Sequence, residues 1–516
     1  MSKNYYITTS IFYANSYSHI GNFYEAVLAD AMARYKRLRG FDVRFMTGMD
    51  EHGQKIEQSA IALERTPQEH VDYIAQWTKD VMRNLSIDYD VFFRTTDKAH
   101  YAAVIKIFKK LYEQGDIYKG SYEGLYCTPC ETFYTKSQLN EGKCGVCGKE
   151  VGFISEEAYF FKLSKYQDRI IDLIENTDFI APKWRATEML NSFLRAGLDD
   201  LCVSRTSFKW GIPVEFDPSH VVYVWVDALS NYITALGFMG DDDSLYKKYW
   251  PANVHIVGKD IMRFHTIIWP AILMALDEPM PQQVFGHGWL NFDGKKIGKS
   301  LGNSIDPNEL VEAYGTDAIR YYLLREMPYG QDGNFTPENL IARINADLAN
   351  DLGNLLSRTV GMIDKYFGGK LPAAQAATDF DNEIISQATK VAKKAESHFD
   401  NLEFDIGLAE IWMLISRANK YIDQVEPWKL FKEEEKQDVL AGSLYVLCEV
   451  LRVVAILIEP SMPSVPAKVY AQLNITNDGH KSWEASHKFG LTPKEIATTK
   501  GDAIFPRIDV KNSVKN

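Results

Sequence analysis

Four of the six cysteines stand in two Cys-x-x-Cys pairs, a spacing that is typical of a zinc site. Cys127 pairs with Cys130, Cys144 pairs with Cys147, and thirteen residues separate the two pairs. Each pair forms a tight turn that presents two thiolates, and four thiolates complete the tetrahedral shell of Zn²⁺ without leaving a position open for substrate. The sequence therefore predicts one structural zinc ion. Two disulfides or free thiols are the alternatives.

A second group of residues could bind phosphate. His19, Gly21 and Asn22 follow the first predicted strand and open a predicted helix. Backbone N–H groups at a helix N-terminus attract phosphate oxygens, and a glycine lets the ligand come close. The imidazole and the amide could add hydrogen bonds to a polyphosphate, although a simple helix cap would explain the same residues.

A basic loop later in the chain could neutralise pyrophosphate. Lys295, Lys296 and Lys299 lie within five residues, and Gly294, Gly298 and Gly302 are spaced through the loop. Clustered ammonium groups on a flexible loop suit a segment that closes over a leaving group. A solvated surface loop is the alternative.

A βαβ pattern at the start of the chain is expected to position these groups. Residues 5–13 are predicted to form a strand, residues 22–38 a helix that Gly40 stops, and residues 43–46 a second strand. Further strands are predicted at 220–226, 254–257 and 284–285. The fold class is therefore α/β, with a doubly wound parallel sheet whose ligands bind beyond the carboxyl ends of the strands.

The carboxyl-terminal part has a different pattern. Long amphipathic stretches at 338–366, 382–398, 407–424 and 436–458 predict an α-helical bundle, with Thr336 and Pro337 capping the first helix. The most apolar run, 446–458, is interrupted by Glu449 and Arg452 and is predicted to be a buried helix of this bundle rather than a membrane span.

Composition indicates a packed protein of several domains. Hydrophobic residues make up 46% of the 516 residues, charged residues make up 24%, and the formal net charge is −12. This balance excludes binding of nucleic acid through bulk charge, but not through local basic patches. The start of the chain lacks the pattern of a secretory signal, and clustered cysteines suit a reducing compartment, so a cytoplasmic location is expected.

The tetrad His19-Ile20-Gly21-Asn22 and the lysine loop together resemble the HIGH and KMSKS signatures of the class I aminoacyl-tRNA synthetases. Their order and separation fit that family, in which the catalytic domain is Rossmann-like. Two departures from the signatures are visible, since Asn22 stands in place of the second histidine and Ile297-Gly298 in place of Met-Ser. The resemblance implies that His19, Asn22, Lys296 and Lys299 act in catalysis. It further implies an ATP site made of His19, Gly21, Asn22, Gly258, Asp260, His287, Lys296 and Lys299.

Further residues resemble those of the methionyl members of this class. The resemblance implies that Asp50 binds the ammonium group of the amino acid and that Arg205 lies near its carboxylate. It implies a side-chain pocket formed by Ile11, Tyr13, Trp225, Ala228, Leu229, Tyr232, Ile261 and His265. Aromatic walls suit an unbranched, polarizable thioether. It also implies that Asn350, Asn354, Arg358 and Trp428 read the anticodon, since amides and guanidinium groups can bind base edges and tryptophan can stack on a splayed base.

The implied function is ATP-dependent activation of L-methionine and its transfer to tRNA(Met), including the initiator tRNA, in translation. Mg²⁺ is expected to accompany ATP, and a monomer is expected. The chain is divided into a catalytic domain at 1–115 and 211–290, an insertion at 116–210 with a zinc knuckle at about 122–152, a lysine-loop and stem-contact region at 291–340 and an anticodon-binding domain at 341–516.

Two other classes of function remain open at this stage. One is a nucleotidylyltransferase with the same phosphate-binding groups and a different acceptor, which the helical bundle disfavours. The other is a non-catalytic, zinc-bearing RNA-binding protein, which the presence of Asp50 and the lysine loop disfavours. Isoleucyl, valyl and leucyl enzymes carry a large editing insertion for which this chain has no room, and cysteinyl enzymes place zinc in the catalytic pocket.

Overall fold

A seven-stranded parallel sheet forms the centre of the amino-terminal half, as the βαβ pattern predicts. The computed structural model describes residues 3–127, 132–134, 139–140, 142–145, 148–297, 303–373 and 375–509. In spatial order the strands are Ile180–Ala181, Val284–His287, Val254–Gly258, Asn4–Thr9, Asp42–Asp50 and Phe12–Tyr13, with Val91–Arg94 also paired to Asp42–Asp50.

Helices cover both faces of this sheet, so its strands are buried nearly throughout. The predicted first helix is confirmed as Ile20–Leu38, and Gly40 follows it with a φ of +78°, a conformation that favours glycine. The other helices of this half are Gln54–Ala62, Pro67–Asn84, Lys98–Glu113, Gln167–Asn176, Lys183–Met189, Val224–Thr234, Ser244–Tyr249, Trp269–Leu276, Pro307–Tyr314 and Thr316–Glu326, with π-helical turns at Leu190–Leu194 and Phe264–Ile268.

The strand predicted at 220–226 is wrong at its carboxyl end. The strand spans Asp217–Val222, and a helix, Val224–Thr234, begins two residues later. Pairing stops there because the neighbouring strand Ser204–Arg205 reaches only to Val222. The N–H groups of Val226 and Asp227 instead donate to the carbonyl of Tyr223, which closes the first turn. Burial of residues 223–226 at the start of this helix therefore outweighs the strand preference of their valines.

The chain between Lys98–Glu113 and Val224–Thr234 forms small antiparallel sheets. The largest has the order Leu201–Cys202, Gly152–Phe161, Ile117–Cys127 and Thr132–Tyr134, and a second has the order Ser204–Arg205, Asp217–Val222 and Pro213–Val214. Leu139–Asn140 pairs with Lys143–Cys144, and Leu290–Phe292 pairs with both Lys295–Lys296 and Gly333–Phe335. Since Ile180–Ala181 joins the central sheet, the limits of the insertion at 116–210 stay a prediction.

A helical bundle forms the carboxyl-terminal part, as predicted. Its helices are Asp381–Phe399, Phe404–Val425, Pro427–Leu430, Gln437–Ile458 and Val465–Leu473. The helix predicted at 338–366 is continuous but changes type, from Pro337–Arg343 through the π-helical segment Ile344–Gly353 to Asn354–Phe367. Within the described residues, Glu434–Ile458 alone is long and apolar enough to cross a membrane. Its apolar window is 94% buried in the protein, so it is a core helix.

A fully buried guanidinium joins the bundle to the amino-terminal half. Arg320 Nη2 lies 2.6 Å from Asp30 Oδ2 on the first helix, and neither side chain is exposed. The same guanidinium donates to the carbonyl oxygens of Pro460 and Ser461, just beyond the helix Gln437–Ile458. Because a buried charge needs partners on every donor, these bonds fix the bundle against the helix Ile20–Leu38.

Candidate active site

A cavity of about 530 Å³ opens at the carboxyl ends of the central strands, where the fold predicts a ligand site. Its lining includes seven of the residues predicted to bind ATP, which are His19, Gly21, Asn22, Gly258, Asp260, His287 and Lys296. Ile11, Tyr13 and Ile261 of the predicted methionine pocket lie on the same cavity. Lys299, predicted to act in catalysis, is outside the described residues.

The amino end of the first helix lies on this cavity. The N–H of His19 donates to Asn22 Oδ1 at 3.1 Å, so the amide oxygen caps the helix and the amide NH₂ is the group left to donate. A Cβ on Gly21 would lie 3.1 Å from two atoms of the His19 ring. The glycine therefore keeps the imidazole in its position, and the helix N-terminus stays open to an anion.

A buried carboxylate and a histidine form a second polar group on the cavity wall. Glu25 accepts hydrogen bonds from the N–H and the hydroxyl of Ser10, and its Oε2 lies 3.0 Å from His287 Nε2. His287 Nδ1 donates to the carbonyl of Gly288 at 2.7 Å. Burial alone would lower the pKa of His287, but the hydrogen bond and negative charge of Glu25 outweigh burial and raise it.

Sequence reasoning missed the part played by Glu25. The signal for it is a carboxylate one turn after Asn22 on the helix face that packs against the sheet, since Glu25 is only 6% exposed. A charge at such a position needs partners, and the strand end at Ser10 supplies them.

The described part of the lysine loop lies against an aromatic ring. The ammonium of Lys296 is 3.8 Å from the ring centre of Trp289, which also lines the cavity. The ammonium of Lys259 is 4.1 Å from the same ring and bonds to Asp332 at 2.7 Å. The positive charge of Lys296 is therefore held at the mouth of the cavity by a cation–π contact.

The residues predicted to hold the methionine side chain are mostly apolar and largely buried. Ile11, Trp225 and Ala228 pack together, and the ring of Trp225 stacks on Phe264 with 3.6 Å between centres. Leu229 is 3% exposed and belongs to the core below them. The helix Val224–Thr234 presents Trp225, Ala228, Leu229 and Tyr232 at the spacing of one helical face.

A hydrogen-bonded pair among the predicted pocket residues lies next to Ile261, which lines the cavity. Tyr232 Oη is 2.7 Å from His265 Nε2, and His265 Nδ1 is 3.0 Å from the carbonyl of Ile261. Burial lowers the pKa of His265 to about 4, so the ring is neutral at pH 7. Nδ1 then donates to the carbonyl and Nε2 accepts from the hydroxyl of Tyr232, which gives both side chains one orientation.

Asp50 and Arg205 differ in their relation to the cavity. Asp50 ends the strand Asp42–Asp50, lies in register with Tyr13 and is 9% exposed. Arg205 is 1% exposed, its guanidinium is 4.3 Å from the ring centre of Tyr126, and it donates to Ser207 Oγ. The structure thus brings Asp50 beside the cavity-lining Tyr13 and holds Arg205 against the strand that leads to Cys127.

Two of the four predicted zinc ligands are described. Cys127 and Cys144 are buried in one small cluster with Tyr134, whose hydroxyl is 3.2 Å from the sulfur of Cys144. The N–H of Gly148 donates to the carbonyl of Cys144, and Gly148 has a φ of +69°. Two buried thiols in one cluster fit a thiolate-bound metal. Cys130 and Cys147 are outside the described residues. Cys202 and Cys448 are buried, as expected for core residues.

A different group of possible metal ligands is paired with a lysine side chain. Glu157, Asp217 and His220 bring ligand atoms within 4.8 Å of one another, the one such cluster of three or more in the described part of the chain. The ammonium of Lys119 lies 2.7 Å from Glu157 and 2.9 Å from Asp217. A cation of the protein itself therefore neutralises these carboxylates.

The predicted anticodon residues lie on the bundle. Asn350 and Asn354 are exposed, Arg358 is half-buried and bonds to Asp423 at 3.1 Å, and Trp428 is 40% exposed. Asn350 belongs to the π-helical segment Ile344–Gly353, whose turns are wider than those of an α-helix. Side chains four residues apart share one face of an α-helix, so this relation holds for Asn354 and Arg358 but not for Asn350.

Two family models match the chain over nearly its whole length. The model described as tRNA synthetases class I (M) matches residues 5–152 and 134–360, and the anticodon binding domain of methionyl tRNA ligase matches residues 371–514. A methionine–tRNA ligase of Caldanaerobacter subterraneus is 56% identical over 515 residues, which is 100% of this chain and 80% of that protein. One of Clostridium perfringens is 56% identical and covers 99% of this chain and 79% of its own length.

Solved structures agree with these relatives. The Mycobacterium tuberculosis methionyl-tRNA synthetase in complex with methionyl-adenylate has 41% identity and a TM-score of 0.93, and the match covers 98% of this chain and 100% of that one. The apo form of the same enzyme has 38% identity and a TM-score of 0.85, with 99% of each chain covered. The chain therefore belongs to the methionine–tRNA ligases, the methionyl members of the class I aminoacyl-tRNA synthetases.

Proposed function

We propose that the cavity and the apolar residues packed beside it activate L-methionine with ATP and then transfer the methionyl group to tRNA(Met). The observation that carries this proposal is their juxtaposition. The helix N-terminus, His287 and Lys296 line the cavity. Ile11, which packs with Trp225 and Ala228, and Ile261, whose carbonyl bonds to His265, line the same cavity. An anionic polyphosphate suits the polar groups, and an unbranched thioether suits the apolar and aromatic ones.

In the first step, a carboxylate oxygen of methionine attacks the α-phosphorus of ATP. The new bond joins that oxygen to phosphorus, and the bond to the bridging oxygen breaks, so that pyrophosphate leaves and methionyl-adenylate remains. His19 and the NH₂ of Asn22 would donate hydrogen bonds to the phosphate oxygens. Lys296 and Lys299 would neutralise the charge on the leaving pyrophosphate. ATP enters as its Mg²⁺ complex, in which the ion offsets phosphate charge.

The amino-acid groups hold the reactants in line. Asp50 would bind the ammonium of methionine, Arg205 would approach the carboxylate, and the wall helix Val224–Thr234 would enclose the side chain. Positioning of two bound reactants can supply much of the barrier reduction without a protein nucleophile. In the second step, a ribose hydroxyl at the 3′ end of tRNA(Met), elongator or initiator, attacks the activated carbonyl, and AMP leaves.

Amino-acid-dependent ATP–pyrophosphate exchange tests this proposal. The assay is run with Mg²⁺, without tRNA and with each of the twenty amino acids. We expect exchange with methionine alone. Exchange with a different amino acid would contradict the assignment of the pocket to methionine. No exchange from folded protein would contradict the proposed enzymatic activity and favour a non-catalytic RNA-binding role.

The bundle is proposed to read the anticodon through Asn350, Asn354, Arg358 and Trp428. The exposure of Trp428 and of both asparagines supports this role, since a stacking ring and donor amides must be open to RNA. Trp428→Ala should lower kcat/KM for tRNA about 10- to 100-fold, because stacking of one base contributes about 1–3 kcal/mol. Methionine-dependent pyrophosphate exchange should stay at the wild-type rate. Equal loss in both assays would contradict the anticodon role.

Zinc is proposed as a structural ion held by Cys127, Cys130, Cys144 and Cys147. The burial of Cys127 and Cys144 in one cluster supports it. Metal analysis of the purified chain should give one zinc per molecule, and Cys144→Ser should lower it and make the remainder easier to chelate. The domain limits, a monomeric state and a cytoplasmic location stay predictions, which limited proteolysis, light scattering and fractionation test.

A further inference from the structure

A fully buried carboxylate lies behind the amino-acid pocket, and the proposed chemistry does not use it. Asp227 is 0% exposed, with one oxygen 2.7 Å from His52 Nδ1 and the other 2.8 Å from His100 Nε2. Both imidazoles are buried as well. Burial alone would raise the pKa of Asp227, but the charge and hydrogen bonds of the two histidines lower it to about 2. The group is therefore an anion with one histidine donor on each oxygen.

This carboxylate anchors the back of the wall helix Val224–Thr234. Trp225, Ala228, Leu229 and Tyr232 share the face toward the proposed methionine pocket, whereas Asp227 and Thr234, seven residues apart, share another face. His100 bonds to both of these residues, since its Nδ1 lies 2.8 Å from Thr234 Oγ1. Two turns of the helix are thus held from behind by one imidazole on the helix Lys98–Glu113.

The second histidine, His52, lies close in sequence to Asp50, the residue proposed to bind the ammonium group. His52 follows Asp50 by two residues, and its ring meets Trp210 edge-on at 5.6 Å. The indole N–H of Trp210 donates to the carbonyl of Glu51, and the N–H of Gly53 donates to the carbonyl of Trp210. His52 Nε2 is buried and has no hydrogen-bond partner among the described residues. The bond to Asp227 is therefore the one polar bond of this ring in the described part of the chain.

We propose that Asp227, with His52 and His100, fixes the distance between Asp50 and the wall helix, and that this distance sets which amino-acid side chain fits. These three are positioning residues, because none of them lines the cavity. The inference rests on the proposed function, which gives Asp50 the ammonium group and the wall helix the thioether. A methionine bridges these two elements, so a shift of either changes the length of side chain that the site accepts.

Packing alone does not explain the group. Apolar residues of similar volume commonly stabilise a core as well as buried charges do, and at lower desolvation cost. Directional bonds from a charged group instead hold two segments at one separation, which apolar contacts do less sharply. The position of the group, between the two elements that would contact opposite ends of the substrate, matches that use.

The test is steady-state pyrophosphate exchange with methionine and with ethionine, whose side chain is one methylene longer. Asp227→Asn should raise KM for methionine about tenfold or more and leave KM for ATP within about twofold, since small misplacement of a reactant is costly. The preference for methionine over ethionine in kcat/KM should fall roughly tenfold, because exclusion of one methylene depends on a rigid wall.

A matched pair at His52 keeps the inference testable if Asp227→Asn does not fold. His52→Asn retains an N–H donor near the position of Nδ1, whereas His52→Leu retains only volume. We expect His52→Asn to keep the wild-type preference and His52→Leu to lose it. Glu449→Gln is the control, because it alters an equally buried carboxylate that pairs with Arg452 in the bundle. That variant should lose thermal stability without a change in either amino-acid parameter.

The outcomes separate this inference from the proposed function. Wild-type protein without methionine-dependent exchange would refute the proposed function and the inference with it. An active wild type with unchanged KM and preference in His52→Leu would refute the inference alone. Equal rises in KM for methionine and ATP would also refute it, because they would show general damage rather than a change in one distance.

Discussion

The nucleotide side and the amino-acid side of the proposed site differ in exposure and in the origin of their order. On the nucleotide side, Lys296 is exposed, and His19 and Asn22 line an open cavity of about 530 Å³. On the amino-acid side, Tyr232 and His265 are 1% and 5% exposed and bonded to each other. The groups proposed to bind phosphates are open to water, whereas the groups proposed to bind the methionine side chain belong to the core.

This difference predicts separate kinetic effects. Groups on the open side are proposed to act on the charge that develops as pyrophosphate leaves, so their loss should lower kcat. Groups on the buried side are proposed to contact a part of methionine that does not change during the reaction, so their loss should raise KM for methionine. Variants on each side can therefore be compared within one exchange assay.

The largest effect is expected at the lysine loop. Lys296→Met should lower the rate of adenylate formation about 100- to 1000-fold, because one donor to a developing charge is lost. KM for methionine should not change. Rapid-quench measurement of a single turnover gives the rate directly. Lys295→Met is the matched control, because Lys295 is the neighbouring exposed lysine and is absent from the cavity lining. Equal losses in both variants would show that only the charge of the loop matters.

A smaller effect, on affinity, is expected at Asp50. Asp50→Asn should raise KM for methionine about 100-fold, since truncating one partner of a buried charge pair costs about 2–5 kcal/mol, and KM for ATP should stay the same. Asp42→Asn is the control, because Asp42 begins the same strand and pairs with Lys248 at 2.6 Å. If KM for ATP rose with KM for methionine, the separation of the two sides would be wrong.

The same contrast explains what the sequence could predict. The CxxC pairs and the tetrad at His19 are local, and their spacing alone indicates thiolate and phosphate chemistry. The βαβ pattern likewise predicted the parallel sheet, because the period of apolar residues is local too. The methionine pocket joins residues from three segments between Ile11 and His265, and only a family resemblance assembled it.

The errors have the same origin. Valine and tryptophan favour strands, so residues 220–226 are predicted to form one strand. The neighbouring strand pairs with this segment only as far as Val222, and the buried residues from Val224 onward form a helix. The group at Asp227 escaped notice because its histidines lie 175 and 127 residues away in sequence. Glu25 escaped for a similar reason, since its partner His287 is 262 residues away. Long-range pairing of buried polar groups leaves no local signal.

A pH-dependent effect is expected on the nucleotide side. Burial lowers the pKa of His287, but the hydrogen bond and negative charge of Glu25 outweigh burial and raise that pKa above the ordinary 6.5. As pH rises through that higher pKa, the wall loses a positive charge and kcat for exchange should fall, by about tenfold or less. The stabilisation that this pair gives the fold is full below pH 6.5 and is lost over the same rise. His287→Gln should remove the alkaline decline. A decline that persists in this variant would assign it to another group.

The smallest effect is expected on the amino-acid side. Because burial lowers the pKa of His265 to about 4, its ring stays neutral from neutral to alkaline pH. KM for methionine should then vary by no more than about twofold between pH 6.5 and 8.5. The stability that depends on the neutral ring is full above the unfolded pKa of about 6.5 and is lost as pH falls toward 4, so melting temperature should decline there. His265→Gln, which cannot titrate, should flatten that decline. A KM that changes strongly near pH 7 would mean that the pocket is as open to water as the nucleotide side, and the contrast between the two sides would fail.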